Sequence, residues 1–174
     1  MRHVLPLLIL TLCLALAACS GDEPPPDNGA QDQAASDQAP ATRTPQAIGQ
    51  DIRAAHAQAM AQLADLLGRE QDPDQLLPQV RQLHEATARN LVALGRERQN
   101  LDTFGKADCD RVIQQGMTSI PPETYAALDQ AVQRYAANPD LAEALAGFND
   151  IVQYAILELL REQRPAEATR LGAG

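Results

Sequence analysis

From Thr44 onward, apolar residues recur at intervals of three and four, the period of helices that each bury one face. Ile48, Ile52, His56, Met60, Leu63 and Leu67 form the first such stripe, with Ala55 and Ala59 beside it. Thr44-Pro45 supplies an N-cap followed by proline at the first helical position, and Gly68 is a natural stop. Asp72-Pro73 opens a second segment. Pro78 interrupts it, so the pattern predicts either a short turn over 73–77 or a helix that begins near Pro78. Val80, Leu83, Thr87, Leu91 and Leu94 then make the second stripe, which runs to about Gln99.

The stretch from Asn100 to Pro122 is the least regular part of the chain, broken by Gly105, Gly116 and Pro121-Pro122. A short helix from about Lys106 to Gln115 can bury Cys109, Val112 and Ile113, with Met117 and Ile120 plugging the following loop onto the core. Pro122 launches a third long helix through Tyr125, Leu128, Val132 and Tyr135. Asn138-Pro139 caps and starts the last one, the most apolar of all, with Leu141, Leu145, Phe148, Ile151, Val152, Ala155, Ile156, Leu159 and Leu160. Arg161 and Arg164 complement the macrodipole at its end, and Pro165 stops it.

No stretch alternates with period two for long enough to form a strand, and no internal repeat is visible. The expected fold is therefore all-α: an up-and-down bundle of about four long helices plus one short helix over residues 45–165, followed by a flexible tail at 166–174. Many of the helical positions are Ala, which bury little apolar area each. A homodimer is one way to bury the surplus surface.

The N-terminal part reads differently. Arg2 is followed by an apolar run, Val4 to Ala17, interrupted by Pro6 and Thr11. At about 15 residues this run is short of the roughly 20 that a bilayer-spanning helix needs, so it reads as the charged and apolar regions of a signal peptide. It ends in Leu16-Ala17-Ala18-Cys19, which resembles the lipobox of bacterial lipoproteins. That resemblance implies removal of residues 1–18 and acylation of Cys19. Ser20 is not the aspartate linked to inner-membrane retention in enteric bacteria, so the resemblance favours the outer membrane, with the domain facing the periplasm. It covers the first 20 residues only and carries no activity.

Residues 20–44 hold Pro24-Pro25-Pro26 and no large apolar side chain, and Asp22, Glu23, Asp27, Asp32 and Asp37 stand against a single base, Arg43. Such a segment cannot bury a core, so residues 19–44 are expected to be a lipidated cysteine and a disordered tether. The typical reach of such a tether is about 25–30 Å and its extended limit about 80 Å.

Composition removes one class of partner. The formal net charge is -9, with no Trp, three Tyr and two Phe. The chain thus lacks both the basic footprint and the stacking surface of a nucleic-acid binder.

Catalytic signatures are equally scarce. The sequence has no phosphate-binding glycine loop, Gly-x-Ser-x-Gly elbow, His-Glu-x-x-His pair or haem-attachment motif. Glu123-Thr124 is too little to make a lyase glutamate. No enzyme and no cofactor are expected.

Two groups merit weighing as ligands. His56 and Met60 lie four apart on the inward stripe, a soft nitrogen–sulfur pair suited to Cu(I), although a histidine on an apolar face is more often simply a core residue. His84 sits beside Leu83 at the edge of the second stripe. If the first two helices are antiparallel, His56 and His84 can approach and, with Cys109, form a three-ligand site for copper or zinc. Cys109 would be the free thiol left after loss of Cys13 and acylation of Cys19; the simpler reading is a buried, inert side chain raised in pKa by Asp108 and Asp110.

Together these features lead to an expected role as a membrane-anchored helical module that binds an envelope protein partner, as adaptor, assembly factor, inhibitor or immunity protein. The alternative is a bundle that binds a small ligand or a metal.

Overall fold

The computed structural model describes residues 43–69 and 72–174. The expected signal peptide, the expected acylation site Cys19 and almost all of the expected tether lie outside the described residues. Those that are described form an all-α bundle: α1 (Pro45–Leu67), α2 (Pro73–Gln99), α3 (Thr103–Met117), α4 (Pro122–Arg134), α5 (Pro139–Ala146), a 3₁₀ segment (Gly147–Ala155), α6 (Leu157–Gln163) and α7 (Pro165–Arg170).

Local chemistry sets most helix starts. The Thr44 hydroxyl accepts from the Ala47 amide at 3.2 Å, Asp72 accepts from Asp74 at 2.9 Å, and Asn138 accepts from Leu141 at 3.1 Å, each with proline next in line. Proline lacks the amide hydrogen that the first helical position would leave unused. Pro78 neither delays nor breaks α2. Leu76 and Val80, four apart, are both fully buried, and their packing offsets the hydrogen bond that proline forfeits. The third helix is longer than its apolar pattern suggests, because Asp102 accepts from the Gly105 amide at 2.7 Å and starts α3 at Thr103.

The first three helices define one layer of the bundle. A Cβ on Gly49 would lie 2.8 Å from the Cys109 carbonyl oxygen and 2.9 Å from Val112 Cβ, so only glycine lets α1 and α3 approach this closely. Gly105 lies against Pro45 and Gly116 lies under the Arg53 stem, which shows that α1 and α3 run in the same direction. Arg43 pairs with Glu97 at 2.7 Å, bringing the end of α2 to the start of α1; α2 is therefore antiparallel to both. Where these helices meet, the buried Arg98 binds Asp110 with two hydrogen bonds of 2.7 and 2.8 Å and reaches Glu158 at 3.2 Å.

The segment from Pro139 onward departs from the expected single long helix. It divides at Ala146, Ile156 and Arg164. Over Gly147–Ala155 the large side chains Phe148, Ile151 and Tyr154 fall every third residue and are all buried, which is the eclipsed face of a 3₁₀ helix. Leu141, Leu145, Phe148, Ile151 and Leu157 nevertheless supply much of the core, together with Ile52, Met60 and Leu91.

Two further expectations are corrected. Residues 166–174 are not a flexible tail: α7 packs through Ala168, Ala173 is buried, Arg96 donates to the Leu171 and Gly172 carbonyls at 3.2 and 2.9 Å, and Arg161 donates to Ala173 at 2.6 Å. Gly172, with φ of 68°, makes the turn that brings this end back. Ile120 does reach the core, but Met117 stands out into solvent.

Candidate functional site

The sequence-derived ligand candidates separate in the fold. His56, Met60 and Cys109 are all buried in the core, and burial lowers the pKa of His56, keeping its imidazole neutral. The Cys109 thiol is fully buried; burial pushes its pKa up, and Asp110 adds to that. His84 is half-buried and packs against the 3₁₀ segment instead. Among the described residues no three or more His, Cys, Asp and Glu side chains come together as a metal-holding group, so the three-ligand site of His56, His84 and Cys109 is not formed.

His84 instead forms the back of a cleft of about 810 Å³. Its ring meets Phe148 and Tyr154 edge-on, with centroids 5.4 and 5.6 Å away. A Cβ on Gly147 would come within 3.2 Å of its Nε2 atom. The 3₁₀ segment thus holds the imidazole from three of its own residues. Burial lowers the His84 pKa, and Arg164 adds to the effect; Glu167, Glu85 and a hydrogen bond with the Gly147 backbone oppose it.

Ala144, Ala146 and Gly147 give the cleft a small-residue wall, while its lips carry charge. Arg81 pairs with Asp140 at 3.3 Å and Arg164 with Asp150 at 3.7 Å. Arg164 also lies over the Tyr154 ring, 5.8 Å from its centroid. Behind the cleft, Arg170 donates to both carboxylate oxygens of Glu85 at 2.8 and 2.6 Å and to Glu167 at 2.7 and 2.8 Å. The Arg170 and Arg89 guanidinium groups hold the Glu85 carboxyl well below the usual range, at about 2. The arrangement offers a neutral hydrogen-bonding imidazole between paired charges. It presents no activated nucleophile.

A second surface lies between α3 and the 3₁₀ segment. Ile113, Met117, Val152 and Ile156 floor a groove of about 290 Å³, and Gln114, Asn149, Gln153 and the carboxylates of Asp110 and Asp150 edge it. Asp150 also lines the His84 cleft, so the two depressions share a border. The sequence singled out His84 but not Asp140, Gly147, Asp150 or Tyr154, which reach the site only through the folding of α5 and the 3₁₀ segment. Gly147, a glycine inside an apolar helical pattern, was the one local signal available. Compared with protein-family models, curated proteins and solved structures, the chain matches none.

Proposed function

We propose that this chain is a lipid-anchored envelope lipoprotein, facing the periplasm from the outer membrane, whose helical domain docks a protein partner. The observation that carries the docking reading is the groove between α3 and the 3₁₀ segment, where Met117, 39% exposed, lines the floor with Ile113 and Val152 inside a polar, partly acidic edge. An apolar floor with a polar rim is the form of a protein-recognition site, and methionine adapts to irregular partners. A partner segment presenting apolar anchors with basic flanks would complement it. The anchor rests on Leu16-Ala17-Ala18-Cys19.

A photo-crosslinking residue at position 117 in intact cells tests the docking reading, with exposed position 127 on α4 as the control. A discrete adduct from position 117 alone is expected. Equal or absent adducts from the two positions would sink the idea. For the anchor, Cys19→Ala should abolish lipid labelling and release the protein from the membrane fraction; unchanged fractionation and labelling would refute it.

A second reading, small-ligand or metal binding, draws its support from the His84 cleft, whose volume of about 810 Å³ lies within the range of small-molecule sites. Perturbation of the His84 ring resonances by a small-molecule fraction of periplasm would favour it, and stoichiometric copper or zinc in purified protein would favour its metal form. Unperturbed resonances together with metal-free protein would exclude it.

A further inference from the structure

One large apolar side chain belongs neither to the core nor to either depression. Phe104 is 83% exposed in the first turn of α3. Its surroundings say which end of the bundle it marks. The next residue, Gly105, lies against Pro45, the first residue of α1: a Cβ there would sit 3.2 Å from Pro45 Cγ. Just before Pro45, Arg43 pairs with Asp51 and with Glu97 in the last turn of α2. Arg43, the first described residue, is therefore held at the end of the bundle that carries Phe104.

Length turns this placement into an orientation. If residues 19–43 form the tether expected from the sequence, their typical reach is about 25–30 Å. A domain of this size is roughly 35–40 Å across. Touching the bilayer with the opposite end would require the tether to run alongside the whole domain, about 35–40 Å, which is beyond its typical reach though within its extended limit. The Phe104 end meets the membrane with the chain relaxed.

Resting on the lipid-anchor reading, we infer that Phe104 is a membrane-contacting side chain, which seats the tether end of the bundle in a zwitterionic lipid surface. Charge selects the type of lipid. At this end of the bundle Arg43 pairs with Asp51 and Glu97, Arg111 with Asp108 and Lys106 with Glu158, while Asp102 caps α3, an acid-leaning set that disfavours anionic headgroups. Burying an exposed phenylalanine shifts such an equilibrium on the order of tenfold or more. That is too little to hold a free protein on a membrane but enough to orient one that is already anchored.

The protein has no tryptophan, so Phe104→Trp introduces a single indole reporter. The full-length lipidated variant would be reconstituted into phosphatidylcholine–phosphatidylethanolamine vesicles with and without brominated acyl chains. The expected result is a blue-shifted emission that the brominated chains quench at least twofold, while Met117→Trp in the same vesicles is not quenched. A protein that floats with the vesicles yet shows the emission of a water-exposed indole at position 104 overturns the inference alone. A blue shift without quenching by brominated chains means that protein covers the residue, and also overturns it. A protein that does not float removes the anchor reading and this inference with it.

Discussion

His84 is the residue at which the cleft and the 3₁₀ segment meet, and its protonation links them to pH. Burial lowers its folded-state pKa below the ordinary value of 6.5, and the same holds for His56. A histidine with a depressed folded pKa binds its proton more readily when unfolded. Stability is therefore complete above about pH 6.5 and falls as the pH drops through and below that value. Thermal unfolding followed between pH 7.5 and 5 should show Tm declining in this window, with a shallower decline in His84→Gln; an identical slope in the variant would refute the assignment.

Arg98 shows the opposite logic, because its charge is permanent. Its side chain is 7% exposed and doubly bonded to an Asp110 carboxylate that is 35% exposed. Arg98→Ala removes a buried stem and strands Asp110 and Glu158 at the meeting point of α2, α3 and α6. Partial solvation of the acids softens the penalty, so the expected loss is about 2–3 kcal/mol, read by urea unfolding. A loss below about 0.5 kcal/mol would mean that the ion pairs are only surface decoration.

At the scale of elements, the clearest test is the fastening of α7. Arg170 joins Glu85 on α2 to Glu167 on α7, and the Glu85 carboxyl is depressed to about 2. A carboxylate with a lowered folded pKa stabilises fully above its unfolded value near 4.5, and that contribution fades as the pH falls from there towards 2. Glu85→Gln should leave the fold intact near pH 7 and flatten the acid limb of the Tm profile. It should also speed amide exchange in α7; unchanged exchange there would show that Ala168 and the carbonyl contacts of Arg96 hold the segment unaided.

Glycine makes the matching point between α1 and α3. Gly49→Ala gains helix propensity of up to about 1 kcal/mol but sets a methyl against the Cys109 carbonyl oxygen, which is backbone and cannot swing away. The net expected cost is about 1–2 kcal/mol.

The same elements show what a reader of the sequence can and cannot find. Thr44, Asp72 and Asn138 are legible as caps because each precedes a proline and the signal is local. Asp102 followed by Thr103 was legible in principle and was hidden by Gly105, which reads as a breaker. The 3₁₀ segment was not legible: over nine residues, Phe148, Ile151 and Tyr154 satisfy a period of 3.0 as readily as 3.6. α7 was missed because its anchors, Arg96 and Arg161, are brought to it only by the fold. The site follows suit, since His84 faces Phe148 and Tyr154 across more than sixty positions of sequence.

At the scale of the whole molecule, Cys109 is a gauge of how the bundle opens. It is fully buried at the close crossing of α1 and α3, against Gly49, and it is free of any disulfide. If Cys19 is acylated and the signal peptide removed, Cys109 is also the lone titratable thiol of the mature protein. Raising the pH alone will not expose it, because burial and Asp110 both favour the neutral thiol. Reaction with an aromatic disulfide reagent then requires α1 and α3 to part. The two helices share the core with the 3₁₀ segment and α2, so their separation should coincide with global unfolding rather than with fraying of α7. Labelling at pH 8 should be at least about a thousandfold slower than in urea-unfolded protein. Its rate should rise with urea along the slope of the full unfolding transition. Rapid labelling without urea would place Cys109 at a mobile surface and dissolve the α1–α3 crossing. A slope well below that of global unfolding would instead divide the bundle into separately opening parts.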